Sequence, residues 1–271
     1  MRAGRVAVSL ATLILATLTV TTLGAWLPLW LGWVEQIQVV PLALAGGVTG
    51  LATWMAVTLL FGRIYCSSVC PLGTLQDILS RIPRSRKQWR QGHPYHHAEP
   101  NNRLRYLMLV VVALSAAAGT TLLTCLLDPW SAFRHIAATL LDPLAGLAAG
   151  GALAFLVALA LLAAIGVCAW RKGRIICNTI CPAGSALALP AKVSMFHFDI
   201  DTDLCTNCRA CELACKAQCI SMEDHTVDAS RCVVCFDCVD VCDDAAIRYT
   251  SRRKRLATPM MRRVSNKIAI Q

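Results

Sequence analysis

The stretch GRIYCSSVCPLG, at Gly62–Gly73, occurs a second time as GRIICNTICPAG at Gly173–Gly184. Seven of the twelve positions are identical, and each of the two cysteines moves by the same 111 residues. Because residues at positions i and i+4 of a helix share one face, each copy presents two thiols together. The chain is therefore predicted to contain two tandem repeats packed about a shared axis, with a joint site at their interface. The cysteines of that site are Cys66, Cys70, Cys177 and Cys181.

The composition indicates a membrane protein. Of the 271 residues, 56% are hydrophobic and 15% are charged, whereas about 25% are charged in soluble domains. A helix needs about 20 apolar residues to cross a bilayer, and four uncharged segments are long enough. They are Val6–Leu31, Val39–Gly62, Leu107–Leu127 and Gly150–Trp170. The sequence thus predicts a mostly α-helical fold, with a four-helix integral membrane domain over residues 1–198. The first segment is longer than the core of a signal peptide, which favours an uncleaved anchor.

The distribution of basic residues predicts the orientation of this domain. Lysine and arginine are concentrated before the first segment, between residues 63 and 105, and after Trp170, whereas residues 32–38 carry none. Because cytoplasmic links are enriched in basic residues, both termini and the long middle link are predicted to be cytoplasmic. The net charge of +10 is then a topology signal, and nucleic-acid binding is the weaker interpretation. The expected location is the bacterial cytoplasmic (inner) membrane, multi-pass, with the basic tail 251–271 in solvent or on anionic lipid.

The segment 199–250 is predicted to be a small α+β ferredoxin domain of the bacterial two-cluster type. It contains CTNCRACELAC and CVVCFDCVDVC, which both have the spacing C-x2-C-x2-C-x3-C. Three closely spaced cysteines wrap one [4Fe-4S] cluster, and the fourth reaches the neighbouring cluster. The predicted ligands of cluster one are Cys205, Cys208, Cys211 and Cys242, and those of cluster two are Cys232, Cys235, Cys238 and Cys215. Zinc is the weaker alternative, because its cysteine ligands come as separated pairs.

Three further features of the cysteine pattern leave alternatives open. Lys216 and Asp243 stand where a proline usually follows the fourth cysteine of each run. Cys219 is either a packed thiol or an alternative ligand in place of Cys215. Cys125 and Cys168 lie within apolar segments, where small buried side chains explain them.

Four apolar segments, two Cys-x3-Cys-Pro motifs and a C-terminal two-cluster domain resemble the NapH type of membrane subunit of periplasmic nitrate reductase systems. The same membrane core occurs in NosR-type and CcoG-type polyferredoxins, and the short length of this chain is most similar to the NapH type. The resemblance covers nearly the whole chain. It implies a quinol dehydrogenase subunit that feeds electrons to a partner, and it implies ligand roles for the eight ferredoxin cysteines and the four motif cysteines.

The chemistry of the motif cysteines has three interpretations. The four thiols could bind iron or an additional iron–sulfur centre, each pair could cycle between dithiol and disulfide, or the pairs could pack two helix ends. Arg63 and Arg174 precede the two pairs and are expected to favour the thiolate form in the first two cases. Pro71 and Pro182 are expected to interrupt or start a helix beside the sulfurs.

The leading functional hypothesis is oxidation of quinol as substrate, with two [4Fe-4S] clusters passing electrons to a ferredoxin-like or cytochrome c-type partner. The candidate polar groups of a quinol site are His197, Asp77 and Gln76 near the cytoplasmic boundary, and Glu35, Arg134 and His135 near the outer one. An ordinary surface or interface role is the alternative for each, and the outer set is expected to lie a bilayer away from the clusters. A second hypothesis is a metal (copper) reductase of the CcoG type, which predicts soft ligands near the motif pairs. Met195 and Met222 are available, although an isolated methionine usually has a packing role. A third is a membrane-anchored ferredoxin without a quinol site.

Overall fold

A computed structural model describes residues 2–21, 33–82, 95–118, 127–141 and 143–251. The helices are α1 (Arg2–Val20), α2 (Trp33–Gln36), α3 (Val39–Leu44), α4 (Val48–Phe61), α5 (Ile64–Ser68), α6 (Pro71–Ser80), α7 (Asn102–Ala117), α8 (Pro129–Leu141), α9 (Pro143–Lys172), α10 (Ile175–Thr179), α11 (Pro182–Ala191), α12 (Ala210–Ala214) and α13 (Asp237–Asp240). The strands are β1 (Phe196–Ile200), β2 (Ile220–Ser221), β3 (Thr226–Val227) and β4 (Ile247–Ser251). The fold is mostly helical, as the sequence predicts.

Two helices of the described residues are long and apolar enough to cross a membrane. They are α1 and the part of α9 from Gly151 to Lys172. Helix α1 contains the first part of the first predicted segment, and the part of α9 corresponds to the fourth segment. The remainder of the first segment lies outside the described residues, as do residues 119–126 of the third segment, including Cys125. The four-span arrangement therefore stays a prediction.

The second predicted segment is not one continuous helix. The structure divides it into α3 and α4, which are separated by a turn over residues 45–47. Gly46 adopts a φ of 71°, a left-handed conformation that commonly ends a helix. The expectation of a single helix over Val39–Gly62 was wrong because apolar length alone does not reveal a glycine that breaks the helix. The 14-residue α4 is an apolar helix shorter than a full span.

The two copies of the repeat have the same local structure. Each apolar helix ends at the first glycine of the motif, and Gly62 and Gly173 have φ values of 77° and 61°. A five-residue helix follows, and the second cysteine then forms the N-cap of a ten-residue helix with proline in its first turn. Proline suits this position because the amide hydrogen it lacks would have no partner inside the helix. The prolines therefore start α6 and α11.

The C-terminal domain contains two small antiparallel sheets. Strand β1 pairs with β4, with Phe196 opposite Ser251 and Ile200 opposite Ile247. Strand β2 also pairs with β3 in an antiparallel arrangement. The α+β character predicted for residues 199–250 is present, although β1 begins three residues before that boundary.

Candidate functional site

The arginine of each repeat motif contacts the other copy. Arg63 of the first copy donates a hydrogen bond from Nη2 to the carbonyl oxygen of Cys177 in the second copy, at 3.2 Å. Arg174 of the second copy donates from Nη1 to the carbonyl oxygen of Cys66 in the first. Both arginines are fully buried. The expected joint arrangement of the copies is therefore formed by reciprocal contacts between equivalent residues.

The last glycine of each motif makes room for this exchange. A Cβ atom at Gly73 would overlap the carbonyl oxygen of Cys66 and would lie 3.2 Å from Nη1 of Arg174. A Cβ atom at Gly184 would overlap the corresponding oxygen of the second copy and would lie 2.7 Å from Nη2 of Arg63. The spacing of arginine, cysteine and glycine that the two copies share is thus explained by packing, because each glycine leaves space for the arginine of the other copy.

The four motif thiols are buried and carry no disulfide. The thiol of Cys177 donates to Oε1 of Gln76 at 3.1 Å, so this candidate quinol residue is instead a partner of a motif cysteine. Burial raises the pKa of Cys177 to about 11, and this effect outweighs the lowering by Arg174 and Arg63. The arginines therefore act in the expected direction, but they do not make the free thiol a thiolate at neutral pH.

Asp77 is the centre of a buried ion-pair network. It lies 2.7 Å from Nη2 of Arg174, 3.2 Å from Nη1 of Arg5 and 3.6 Å from Nζ of Lys216. Burial alone would raise the pKa of Asp77, but Arg174, Lys216 and Arg5 hold it well below its usual range. Asp77 is therefore an ionised counter-ion, which is unsuited to accept a proton from quinol.

Lys216 joins this network to the ferredoxin domain. Its ammonium group lies 2.8 Å from Oδ2 of Asp237, one residue before Cys238. Its carbonyl oxygen accepts a hydrogen bond from the amide of Arg174 at 2.9 Å. A Cβ atom at Gly173 would overlap this carbonyl, so the motif glycine also allows the ferredoxin loop to approach. The lysine in the usual proline position is thus a buried link between the two domains.

The two ferredoxin runs fold into equivalent loops. Residues two, four and thirteen positions after the first cysteine of each run have left-handed φ values between 48° and 63°. In the first run they are Asn207, Arg209 and Gln218, and in the second run they are Val234, Phe236 and Ala245. Such a conformation is costly for residues other than glycine, and it persists where the surrounding structure enforces it, often at ligand sites. The departures from the usual proline therefore do not disturb the loop equivalence.

The cysteines predicted for cluster one lie around one cavity. Cys205, Cys208, Cys211 and Cys242 all line it, together with Met222, whose sulfur accepts from the thiol of Cys211 at 3.6 Å. For the second set, the electrostatic neighbours of Cys238 are Cys235, Cys232, Cys215 and then Cys211 of the first set. Within the described ranges no three Cys, His, Asp or Glu side chains converge on a single metal ion. A [4Fe-4S] cluster instead places each of its ligands on a different iron.

Cys219 lies beside the second set of cysteines. Its Sγ is 3.5 Å from Sγ of Cys215, and it also interacts with Cys232. The hydrogen bond between the two thiols lowers the pKa of Cys215. Cys219 is 2% exposed, so it is packed as expected, and its distance from Cys215 keeps the alternative of a substitute ligand open.

Buried cations around the motifs exceed the carboxylates that pair with them. Arg63, Arg105 and Arg231 are at most 5% exposed, and within the described residues their hydrogen-bond acceptors are carbonyl, amide, hydroxyl or sulfur groups rather than carboxylates. Buried charges are normally compensated by charges of opposite sign. Thiolates that bind a metal cluster would supply that negative charge, so the donor set fits iron–sulfur centres.

Two of the outer candidate residues pair with each other. Glu35 and Arg134 form an exposed ion pair at 3.6 Å, and His135 is half-buried on α8. Three residues after Glu35, Gln38 accepts a hydrogen bond from the hydroxyl of Tyr65 at 2.6 Å. Because Tyr65 directly precedes Cys66, this bond joins the link before the second predicted segment to the first motif.

Sequence reasoning missed Tyr65 and Gln38. The available signal was a difference between the copies, since Tyr65 stands where the second copy has Ile176. The methionines predicted as soft ligands do not lie beside the motif thiols. Met195 is 42% exposed after α11, and Met222 lies at the first ferredoxin set. Cys168 is half-buried on α9, where a packing role suffices.

Comparisons with known proteins agree with this geometry. The family described as "4Fe-4S binding domain" matches residues 44–90 and 152–200, so each match contains one repeat motif. The chain is 26% identical to an uncharacterized protein of Methanocaldococcus jannaschii over 74% of this chain and 70% of the relative. It is 27% identical to the ferredoxin-type protein NapH of Haemophilus influenzae, over 70% of this chain and 63% of that protein.

A third relative is the regulatory protein NosR of Pseudomonas aeruginosa, which is 28% identical over 66% of this chain and 24% of NosR. No solved structure shows significant similarity. The repeated 4Fe-4S match, the ferredoxin-type relatives and the apolar helices identify a membrane-associated protein that binds iron–sulfur clusters and transfers electrons. The chain is similar to the NapH- and NosR-type polyferredoxins.

Proposed function

We propose that the protein is a quinol dehydrogenase subunit, which oxidises quinol from the membrane pool and delivers electrons to a reductase through a redox partner of the ferredoxin or cytochrome c type. The observation that carries this proposal is the contact between the ferredoxin domain and both repeat motifs. Nη1 of Arg63 donates to the carbonyl of Ser230 at 3.1 Å, and the amide of Arg174 donates to the carbonyl of Lys216 at 2.9 Å. The two motifs are thus in direct contact with the ferredoxin domain, which supports electron transfer from the membrane domain to the clusters.

The proposed ligands are the two predicted sets. Cluster one is held by Cys205, Cys208, Cys211 and Cys242, and cluster two by Cys232, Cys235, Cys238 and Cys215. The equivalent loops, the cavity shared by the first set and the excess of buried cations support this assignment. When bound, [4Fe-4S] clusters supply one-electron transfer at a potential that hydrogen bonds, charge and solvent exposure adjust.

The exposure of the cysteines supports an order for the two sets. In the second set, Cys215, Cys235 and Cys238 are buried, and this set follows the loops that contact the membrane domain. In the first set, Cys208 is exposed. We therefore assign the second set to the membrane side of the route and the first set to the surface that meets the partner.

The four motif cysteines are proposed to hold a further iron–sulfur centre. Burial raises the pKa of Cys181, and the neighbouring thiols of Cys177, Cys70 and Cys66 raise it further, which supports a compact group of four thiols. The family match over both motifs carries a 4Fe-4S description. Reversible disulfide chemistry is less well supported, because reactive cysteines have lowered pKa values and that of Cys177 is raised.

The topology completes the proposal. We propose that α1 and the C-terminal part of α9 cross a bacterial inner membrane, with both termini on its cytoplasmic side. Arg2 at the start of α1 pairs with Asp237 and Asp240 of the ferredoxin domain, which supports a common side for the N-terminus and the clusters. The positive charges of the cytoplasmic links support the same orientation.

Anaerobic reduction of the purified protein by quinol tests the proposal. A reduced short-chain quinol should bleach the visible absorbance of the clusters and produce the electron paramagnetic resonance signal of their reduced state. Dithionite reduction serves as the control for intact clusters. Reduction by dithionite and by a reduced protein partner but not by quinol would favour the membrane-anchored ferredoxin, and copper(II) reduction in preference to protein reduction would favour the CcoG-type metal reductase.

A further inference from the structure

A cavity of about 220 Å³ lies where the membrane domain meets the ferredoxin domain. The segment after α11 contributes Lys192 and Ser194, strand β1 contributes His197, and the loop after β3 contributes Asp228 and Ser230. Val227 and Ala229 are its apolar walls. The cavity is smaller than the 300–1,000 Å³ or so that is typical of sites for drug-sized ligands, so it admits a single substituted ring.

The cavity continues toward the second set of ferredoxin cysteines. A narrower cavity shares the walls formed by Ser194, His197, Val227 and Ala229, and it ends at Cys232 and Val234. His197 therefore lines both cavities, and Cys232 lines the narrower one. A ring in the larger cavity would lie on the side of the ferredoxin domain that faces the membrane domain.

The surroundings of the cavity are apolar on the side of the membrane helices. The amide of Met195 donates to the carbonyl of Leu59 at 2.8 Å, which ties the segment after α11 to the last turn of α4. Leu59, Val193 and Met195 are 44%, 56% and 42% exposed. An apolar tail could follow these side chains from the lipid, while the ring that it carries enters the polar cavity.

The formal charges of the lining cancel, because Asp228 and Lys192 are of opposite sign. The cavity therefore has no net charge that would favour an anion or a cation over a neutral ligand. His197, Ser194 and Asp228 offer both donors and acceptors to hydroxyl groups. A neutral ring with two hydroxyl groups and an apolar tail satisfies the size, the charge and the approach together.

We propose that this cavity binds the hydroxylated ring of a quinol, with His197 hydrogen-bonded to one hydroxyl group. The proposal rests on the proposed function and names the site for its substrate. It selects the cytoplasmic side, with His197 as the binding residue, in place of Asp77, which is held as an ionised counter-ion, and Gln76, which accepts a hydrogen bond from Cys177.

The test measures binding of a fluorescent hydroxyquinoline N-oxide, a quinol analogue, to the full-length protein in lipid nanodiscs by fluorescence quenching. The variants are His197→Ala, which removes the hydrogen bond, and Ala229→Leu, which fills the cavity. Asp199→Ala is the matched control, because Asp199 lies two residues along the same strand face and does not line the cavity. Iron content and thermal unfolding report whether each variant is folded.

Saturable binding to the wild-type protein is expected, with an affinity about tenfold lower in His197→Ala and lower still in Ala229→Leu, since loss of a hydrogen bond typically costs up to a factor of ten. Asp199→Ala should bind like the wild type. Equal binding in the wild type and both folded cavity variants would overturn the site and leave quinol oxidation standing. If His197→Ala is unfolded, unchanged binding in folded Ala229→Leu overturns the site alone. Absence of saturable binding in the wild type would overturn the site and the proposed quinol function together.

Discussion

Arg63 and Cys177, which are 114 positions apart, are joined by a buried hydrogen bond from the guanidinium group to the carbonyl oxygen. The equivalent bond from Arg174 to Cys66 makes the relationship reciprocal. Neither motif completes its own environment, because the carbonyl of its first cysteine accepts a hydrogen bond from the arginine of the other copy. The duplicated motif is therefore one structural unit made of two distant stretches of the chain.

Gly184→Ala should destabilise the membrane domain. The added methyl group would overlap the carbonyl of Cys177 and crowd Arg63, and overpacking of this kind costs about 1–3 kcal/mol. Thermal unfolding of the purified protein should show the loss as a lower midpoint. Gly4→Ala is the matched control, because nothing lies within 4 Å of its added methyl group. An equal midpoint for Gly184→Ala and the wild type would contradict the packing role of this glycine.

Asp77→Asn should be more damaging than removal of an exposed carboxylate. It leaves Arg5, Arg174 and Lys216 without their shared counter-ion, and breaking a buried ion pair costs roughly 3–5 kcal/mol. Asp243→Asn is the control, because Asp243 is exposed. Chemical denaturation at pH 7 compares the free energies of unfolding, and similar values for the two variants would refute the network.

The same aspartate has a defined pH dependence. Because the folded-state pKa of Asp77 lies below its unfolded value of about 3.9, its charge stabilises the fold above that pH. The contribution should be lost as pH falls through the folded pKa. The difference in stability between wild type and Asp77→Asn should therefore be constant near neutrality and shrink below about pH 4. A difference that grew on acidification would reverse the assigned sign.

Each of the two ligand sets in the ferredoxin domain should hold its own cluster. Anaerobically purified protein should contain at least about eight iron and eight sulfide ions from its ferredoxin domain. Cys208→Ser should remove the cluster of the exposed set and leave the buried set occupied, as judged by iron, sulfide and electron paramagnetic resonance measurements. Cys168→Ser, on α9, should retain full content. Zinc without sulfide in the wild type would contradict the cluster assignment.

The motif cysteines should act as a unit. Cys66→Ser and Cys177→Ser should each remove the same additional iron, and the double variant should lose no more than either single variant. The eight ferredoxin cysteines should keep their clusters in all three variants. Partial and cumulative losses would indicate two independent redox pairs, and full iron content in every variant would leave the motif without a metal.

Local spacing predicted the parts of this molecule that depend on neighbouring residues. The spacing of the ferredoxin cysteines indicated two equivalent loops, and Pro71 and Pro182 indicated helix starts, because both effects act within a few residues. The exchange of Arg63 and Arg174 was not predictable, because it depends on how two distant stretches pack. The role of Lys216, which replaces the usual proline, was not predictable either. Its partners Asp77 and Asp237 come from separate elements.

Apolar length was a weaker guide than spacing. It identified α1 and the C-terminal part of α9, but it did not anticipate the turn at Gly46 within the second segment. Hydropathy also gave no indication that Tyr65 would reach Gln38. Both features depend on backbone conformation and on side-chain reach, which the count of apolar residues does not contain.

The exchanged arginines have a consequence for synthesis of the protein. Arg63 emerges from the ribosome 114 residues before the carbonyl that it binds in the native state. At about 5–20 residues per second, this delay lasts roughly 6–23 s. During that time the guanidinium group of Arg63 has no native acceptor in the second copy, because that stretch has not yet been synthesised. Loading of the proposed cluster at the joint motif would then follow translation of the second copy, so premature termination before Gly173 should yield chains that lack iron at this position.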